Sequence, residues 1–159
     1  MNRETHNIDP VYDSGSRILI LGSFPSVKSR EAEFFYAHPQ NRFWRVIAAV
    51  CGCGAPESVN EKREMLLNNH IALWDVIKSC EIDGSSDSSI KAAEVNDFER
   101  IFSAAPIAAV FANGSAAHAL YRRYVGENIT RLPSTSPANA AWSIDRLIGA
   151  WSVIREYIR

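Results

Sequence analysis

No apolar run in this chain approaches the roughly 18 residues that a membrane span needs, so the sequence excludes an integral membrane protein. Cysteine is scarce and odd in number, with Cys51 and Cys53 nearly adjacent and Cys80 alone. That pattern does not make a disulfide framework and fits reduced thiols in a cytoplasmic protein. Cys51-Gly-Cys53 is also too tight for the usual metal or iron–sulfur loops and has no fourth ligand in train, so no metal and no cofactor are expected. Net charge is missing too: 17 basic and 18 acidic residues leave −1, which taken whole does not advertise nucleic acid. The first residues, Met1-Asn-Arg-Glu-Thr-His-Asn7, hold no apolar stretch, and no secretory signal is expected. Repeats and low-complexity tracts are absent as well.

What remains is an ordinary globular composition. At 159 residues, 47% of them hydrophobic, the chain can bury one core and is short for two. Residues 1–159 are read as a single domain. Its first 16 residues, with Pro10, Asp13, Ser14 and Gly15, are expected to form a polar arm leading into the fold. Charge is unevenly spread. Lys28, Arg30, Arg42 and Arg45 outnumber Glu31 and Glu33 in one segment, and the arginines between His118 and Arg159 outnumber Glu127, Asp145 and Glu156. The segment Glu81–Arg100 is acidic. A neutral protein can still own one positive face. The expectation is that the two basic segments share the face that holds both loops and the acidic one lies mostly elsewhere, although a solvated surface explains the charges equally well.

The short apolar run Arg17–Gly22 predicts a strand buried on both faces, Ile71–Ile77 a strand and its exit, Ile107–Ala112 a third buried strand, and Asn128–Leu132 a fourth strand. Between them, Asn41–Val50, Ser58–Asn69, Val95–Ala104 and Ser115–Tyr124 predict helices, and Trp142 onward predicts a last one. Ser58 and Glu61 have the spacing of a capping box, and Glu81–Ser89 reads as a loop. Alternating strands and helices call for an α/β fold: a three-layer α/β/α sandwich around a central four-stranded parallel sheet. In such sheets ligands bind beyond the carboxyl ends of the strands. Two loops there stand out, one after Gly22 and one after Leu132.

The first loop reads Gly22-Ser-Phe-Pro-Ser-Val-Lys-Ser29 and continues Phe35-Tyr-Ala-His-Pro-Gln-Asn-Arg-Phe-Trp44; the second reads Leu132-Pro-Ser-Thr-Ser-Pro-Ala-Asn-Ala140. With these motifs the chain, from about Ile18 to the last helix, resembles the uracil-DNA glycosylase superfamily, and within it the hypoxanthine (deoxyinosine) branch. Two departures from the uracil-specific pattern matter. Phe24 stands where an Asp or Asn usually precedes the proline, and Leu132-Pro133-Ser134 replaces a histidine. The resemblance implies that the active polar residue is instead Asn41, in His38-Pro-Gln-Asn41. It also implies that Tyr36 stacks on an extruded base. Ser23, Phe24 and Pro25 would hold that base, with Asn113 after the third strand as a further candidate. Ser134, Ser136, Pro137, Ala138 and Asn139 would grip the DNA backbone and wedge the duplex.

The implied activity is a monofunctional glycosylase. It would flip out a deaminated base, hypoxanthine first and uracil second, and hydrolyse its N-glycosidic bond, working as a monomer on DNA with no membrane partner. No lysine beyond Lys28 lies in either motif, which leaves no amine for a lyase step. Plainer readings stand beside these. Asn41 at a helix start is also an N-cap, Tyr36 and Phe35 also read as core aromatics, and His38 reads as structural. Asn113 also reads as the edge of a Gly114 turn, and Asp75 as a structural hydrogen-bond partner. A mismatch-specific uracil/thymine glycosylase, a non-catalytic nucleic-acid-binding module, and a hydrolase using Ser134 or Ser136 are the competing functions.

Overall fold

The structure is a computed structural model that describes residues 2–158. Its elements, in chain order, are β1 (Asn2–Thr5), β2 (Ile18–Gly22), α1 (Val27–Ala32), α2 (Phe43–Cys51), α3 (Val59–Asn68), β3 (Ile71–Asp75) and β4 (Ile77–Ile82). After these come β5 (Lys91–Val95), α4 (Glu99–Phe102), β6 (Ala109–Asn113), α5 (Ser115–Tyr124), β7 (Thr130–Leu132), α6 (Ile144–Trp151) and α7 (Arg155–Ile158).

The four predicted strands make one parallel sheet in the order β3-β2-β6-β7, in which the edge strand β7 buries only Leu132. Every residue of β2 and β3 is buried, as a sheet covered on both faces requires. Parallel neighbours need crossovers, and these are right-handed almost without exception. The step from β2 to β3 runs opposite to the steps from β3 to β6 and from β6 to β7, so the crossovers fall on opposite faces. Contacts agree with this arrangement. On one side Phe43 of α2 meets Trp151 of α6 at 5.9 Å, and on the other Phe98 beside α4 meets Tyr121 of α5 at 5.9 Å. The expected α/β sandwich is therefore present. Ser58 caps α3, its Oγ accepting from the Glu61 backbone at 3.1 Å, but the reciprocal half of the capping box is replaced by a bond from the Ser58 hydroxyl to Glu61 Oε1 at 3.2 Å.

A second sheet was not expected. β4 follows β3 after the single residue Val76 and pairs antiparallel with both β1 and β5. Ile77-Lys-Ser-Cys-Glu-Ile82 carries enough polar residues to look like the exit of a strand. Lys91-Ala-Ala-Glu-Val95 has helix-forming composition and is mostly exposed. Pairing with β4 overrides that local preference, as tertiary context commonly does. The segment read as a helix from Val95 therefore keeps only α4, and the loop read from Glu81 begins after Ile82. The last helix is broken into α6 and α7 by a 3-10 turn at Ser152–Ile154.

The N-terminal arm is likewise part of the fold rather than a lead-in. β1 pairs with β4, and Val11 exchanges backbone hydrogen bonds with Leu73 at 3.0 and 2.9 Å. Ile8 is buried and its carbonyl accepts from Trp74 Nε1 at 3.2 Å. His6 Nε2 donates to the Ile77 carbonyl at 2.9 Å, and its Nδ1 accepts from the Ile8 backbone. This is the neutral tautomer, and burial holds the imidazole below its usual pKa. Burying an isoleucine side chain is worth about 2 kcal/mol, and a domain of this size loses about 2–4 °C of Tm per kcal/mol. Removal of residues 1–8 is thus expected to lower the Tm by roughly 5 °C or more in a circular-dichroism melt. An unchanged Tm would show that the arm does not stabilise the domain.

Candidate active site

Parallel pairing brings three strand ends to one edge. Gly22 lies opposite Asp75, and Leu21 lies opposite Ala112, one residue before Asn113. Above them the two loops enclose a cavity of about 220 Å³. That is smaller than the roughly 300–1,000 Å³ of pockets for drug-sized ligands and suits a single ring system. Ser23, Phe24, Pro25, Tyr36, Asn41 and Asn113 all line it, as do Ser134, Ser136 and Pro137. The sequence-predicted residues therefore converge, except Ala138 and Asn139.

The first loop is built for rigidity. Ser26 Oγ caps α1 by accepting from Ser29 N at 3.2 Å, and Ser29 Oγ accepts from Ala37 N at 3.1 Å. Between these ties Tyr36 takes φ +51°, a left-handed conformation uncommon for an aromatic residue. Its ring stacks on Phe43 at 4.1 Å. Phe34 and Phe35 are both buried. They meet edge to face at 5.5 Å, and Phe34 stacks on Trp44 at 5.8 Å. The Phe24 ring is buried, with His6 at its edge (5.4 Å) and the Arg30 guanidinium over it (5.2 Å). Ser23 spends its hydroxyl on Asp87 Oδ1 at 2.7 Å.

Asn41 is the centre of a chain of hydrogen bonds. Its Oδ1 accepts from the Phe43 backbone at 2.9 Å and from the Thr135 hydroxyl at 2.8 Å. Thr135 Oγ1 in turn accepts from Asn113 Nδ2 at 2.9 Å, and Thr135 N donates to Asn113 Oδ1 at 3.0 Å. A carbonyl oxygen has two lone pairs, so Asn41 faces the cavity as a donor only. Asn113 is largely spent on Thr135, with one Nδ2 hydrogen left over. Arg42 locks the second loop from outside: its guanidinium donates to the carbonyls of Thr135 (3.4 Å), Ser136 (2.9 Å), Asn139 (3.1 Å) and Trp142. Trp151 Nε1 holds Pro133 O at 2.9 Å. Asn139 turns inward to Ser134 O at 3.0 Å and braces the loop, which leaves Pro137 and Ala138 exposed at its tip. His38 Nδ1 accepts from Gln40 N at 3.1 Å, a turn-fixing contact.

The cavity floor is acidic. Asp75 is 4% exposed, its Oδ2 has no hydrogen-bond partner, and its Oδ1 would lie 2.4 Å from a Cβ at position 22, so only glycine fits there. Burial, reinforced by the charge of Asp87, pushes its pKa up to about 8. Asp87 is itself raised by burial, against the hydrogen bond from Ser23. The Tyr36 hydroxyl, buried near Asp75 and Asn113, also lacks a partner, and burial raises its pKa. Sequence reading missed Thr135, Asp87 and the reach of Arg42, and it took Asp75 for a satisfied structural group. A hydroxyl flanked by Ser134 and Ser136 and an arginine inside a motif were the available signals.

The acidic segment sends one carboxylate to the cavity. Asp87, from the acidic segment, lines the cavity because the β4–β5 connection folds back over the strand ends. Several arginines are also committed within the fold. Arg42 serves the second loop, Arg155 Nε donates to Val50 O at the end of α2 at 2.7 Å, Arg146 lies over the Trp142 ring at 3.9 Å, and Arg122 pairs with Glu127 at 4.0 Å.

A cavity at the carboxyl ends of a parallel sheet, lined by aromatic rings and a few fixed amide and carboxyl groups, places the chain among α/β proteins with their site at the strand ends. The sequence matches the uracil DNA glycosylase superfamily over residues 10–154. The chain belongs to that superfamily. A hypoxanthine DNA glycosylase of Methanosarcina acetivorans is 36% identical over 140 residues, spanning 86% of this chain and 89% of that protein. Another of that name from Methanosarcina barkeri is 37% identical over 135 residues, 82% and 85% of the two chains. A solution NMR structure from Methanosarcina acetivorans, described as a candidate uracil DNA glycosylase, superposes with TM-score 0.81 at 33% identity, covering 98% of this chain and 99% of that one.

Lysine has three donors at one point and cannot span the carbonyls that Arg42 reaches. Arg42→Lys is expected to cost about 2 kcal/mol of stability and to open the second loop. Limited proteolysis should then cut within residues 133–142 faster than in the wild type; equal cutting rates would refute the clamp.

Proposed function

We propose that this protein is a monofunctional DNA glycosylase. It flips out a deaminated base, hypoxanthine from deoxyinosine in preference to uracil, and hydrolyses its N-glycosidic bond. The observation that carries this is Asn41, whose oxygen is saturated by Phe43 N and the Thr135 hydroxyl while its Nδ2 is left for the cavity. The two Methanosarcina relatives, both named hypoxanthine DNA glycosylases, support the choice of base.

Extruding a base from a duplex costs a few kcal/mol, and stacking on an aromatic ring returns about 1–3 kcal/mol. Tyr36, rigid on Phe43, supplies that ring. Pro137 and Ala138 at the tip of the second loop fill the space the base vacates. Ser134 and Ser136 meet the backbone phosphates. Asn41 has no free lone pair with which to take a proton from water, so it is not a general base. Its Nδ2 hydrogens hold a water by its oxygen and donate to the departing base. The C1′–N bond therefore breaks ahead of water attack, through an oxocarbenium-like state, and the enzyme works by positioning. One chain supplies the whole cavity, which favours action as a monomer, and the three free thiols suit a cytoplasmic setting.

Phe24 in a slot usually polar favours the second reading, a module that binds nucleic acid without cleaving it. Labelled duplexes carrying inosine, uracil or xanthine, treated with alkali after incubation, decide between the two. Strand breaks at inosine, and only after alkali, are expected; no break on any duplex would leave the binding module. The structure places the N-cap of α2 at Arg42 rather than Asn41. Asn41→Ala is expected to lower single-turnover base release more than tenfold in a protein that still folds, at a cost of about 1–3 kcal/mol because the buried Thr135 hydroxyl and the Phe43 backbone lose their acceptor. Full activity in that variant would remove Asn41 from the mechanism. With so many arginines engaged in the fold, about three phosphate contacts are expected, giving a log Kd slope of about 3 against log salt. Affinity indifferent to salt would count against a DNA-binding face.

A further inference from the structure

Two buried oxygens in this cavity, Asp75 Oδ2 and the Tyr36 hydroxyl, have no hydrogen-bond partner. Buried polar atoms are almost always satisfied, and an orphan at a cavity wall calls for an explanation. Asp75 is held firmly for a group with nothing to bind. It is the last residue of β3, its carbonyl accepts from Asn96 Nδ2 at 2.9 Å, and its Oδ1 packs over the bare Cα of Gly22. A satisfied structural aspartate would spend its carboxyl on such neighbours, and this one does not.

We propose that Asp75 is a further catalytic residue: its carboxyl donates the proton that the flipped base takes up as the glycosidic bond breaks. The inference rests on the glycosylase reading of the cavity. The groups facing the carboxyl keep its proton in place. Asp87 approaches from the 3-10 turn after β4, Tyr36 from the first loop, and His38 stands at the cavity wall; no lysine or arginine lines the cavity. Arg30 lies over the Phe24 ring at 5.2 Å, its Nη1 buried without a partner, and it does not line the cavity. Burial and the negative charge of Asp87 both favour the neutral carboxyl, so it enters the reaction as an acid at neutral pH.

The step balances simply. As the C1′–N bond breaks, its electron pair stays with the base. The base takes the Asp75 proton at its carbonyl oxygen or a ring nitrogen and leaves neutral. Water adds to C1′ and releases one proton to solvent, and the Asp75 carboxylate is reprotonated from solvent. The sum is deoxyinosine plus water going to hypoxanthine plus an abasic site. A base that leaves neutral needs no second group to carry its charge, which answers the absence of a histidine in Leu132-Pro133-Ser134.

Asp75→Asn keeps the shape and a hydrogen-bond donor but has no proton to give. Single-turnover release from an inosine duplex, measured from pH 6 to pH 10, should in the wild type fall with rising pH above about 8. The variant should be at least tenfold slower at pH 7, have no fall of its own in that range, and bind the duplex within about twofold of wild type. A wild-type rate in the variant overturns the proposal. So does an alkaline fall shared equally by both proteins, because it would belong to the inosine base. A second measurement needs no variant: carbon-13 NMR of aspartate-labelled wild type should show one buried carboxyl still protonated at pH 7, and finding every carboxyl ionised would overturn the proposal. If the wild type releases no base from any duplex, the glycosylase reading fails with it. If it releases hypoxanthine without an Asp75-dependent limb, only the acid fails.

Discussion

The pairing of β2 between β3 and β6 is the constraint on which the rest depends. Parallel register is uniform along a strand pair, so fixing Ile18 against Ile71 and Ala109 also fixes Gly22 against Asp75 and Leu21 against Ala112. Three residues distant in sequence thereby reach one edge with no freedom to drift. Position 22 has to be glycine because the carboxyl of Asp75 occupies the space of its Cβ. A slip of one residue would move Gly22 off Asp75 and set a side chain against its carboxyl, so the cavity would lose its floor.

On that edge the second loop is placed by a few polar atoms rather than by apolar packing. Thr135, fully buried, joins Asn113 on β6 to Asn41 beside α2, and Arg42 gathers the surrounding carbonyls. The residue that presents Asn41 thus also positions the loop that would enter the duplex. On the proposed reading, catalytic geometry and DNA grip form one mechanical unit through this chain of hydrogen bonds. Such networks are costly when half satisfied, and here every buried atom of the Asn113–Thr135–Asn41 chain has its partner.

The parallel sheet was legible in the sequence because strands buried on both faces need unbroken apolar runs, and Ile18–Leu21 and Ile71–Leu73 leave little other reading. The antiparallel sheet was not. Its strands are half exposed, and Lys91-Ala-Ala-Glu-Val95 has the local preferences of a helix that pairing with β4 overrules. Within the cavity, the motif loops announced Asn41, Tyr36 and Phe24 by resemblance. Thr135 and Asp87 act only through contacts made across the fold, 94 residues apart for Thr135 with Asn41 and 64 for Asp87 with Ser23, and no local pattern reports such distances. Asp75 was visible as a strand-end carboxylate, but the absence of a partner for it can be seen only once its neighbours are in place.

That missing partner has a thermodynamic consequence. An unfolded aspartate ionises near pH 3.9, whereas in the folded protein Asp75 holds its proton to about pH 8. Between those values the folded state binds a proton that the unfolded state has released. Its contribution to stability is therefore complete below about pH 4 and is lost progressively as pH rises toward 8. At neutral pH the fold carries this aspartate at a net cost that an asparagine of the same shape would avoid. Buried groups kept against stability cluster at functional sites, where the strain is recovered on binding or in the reaction. Asp75 ends β3, held in register against Gly22 of β2 and lining the cavity that the two motif loops enclose, so on the proposed reading the cost falls where a flipped base would arrive to relieve it.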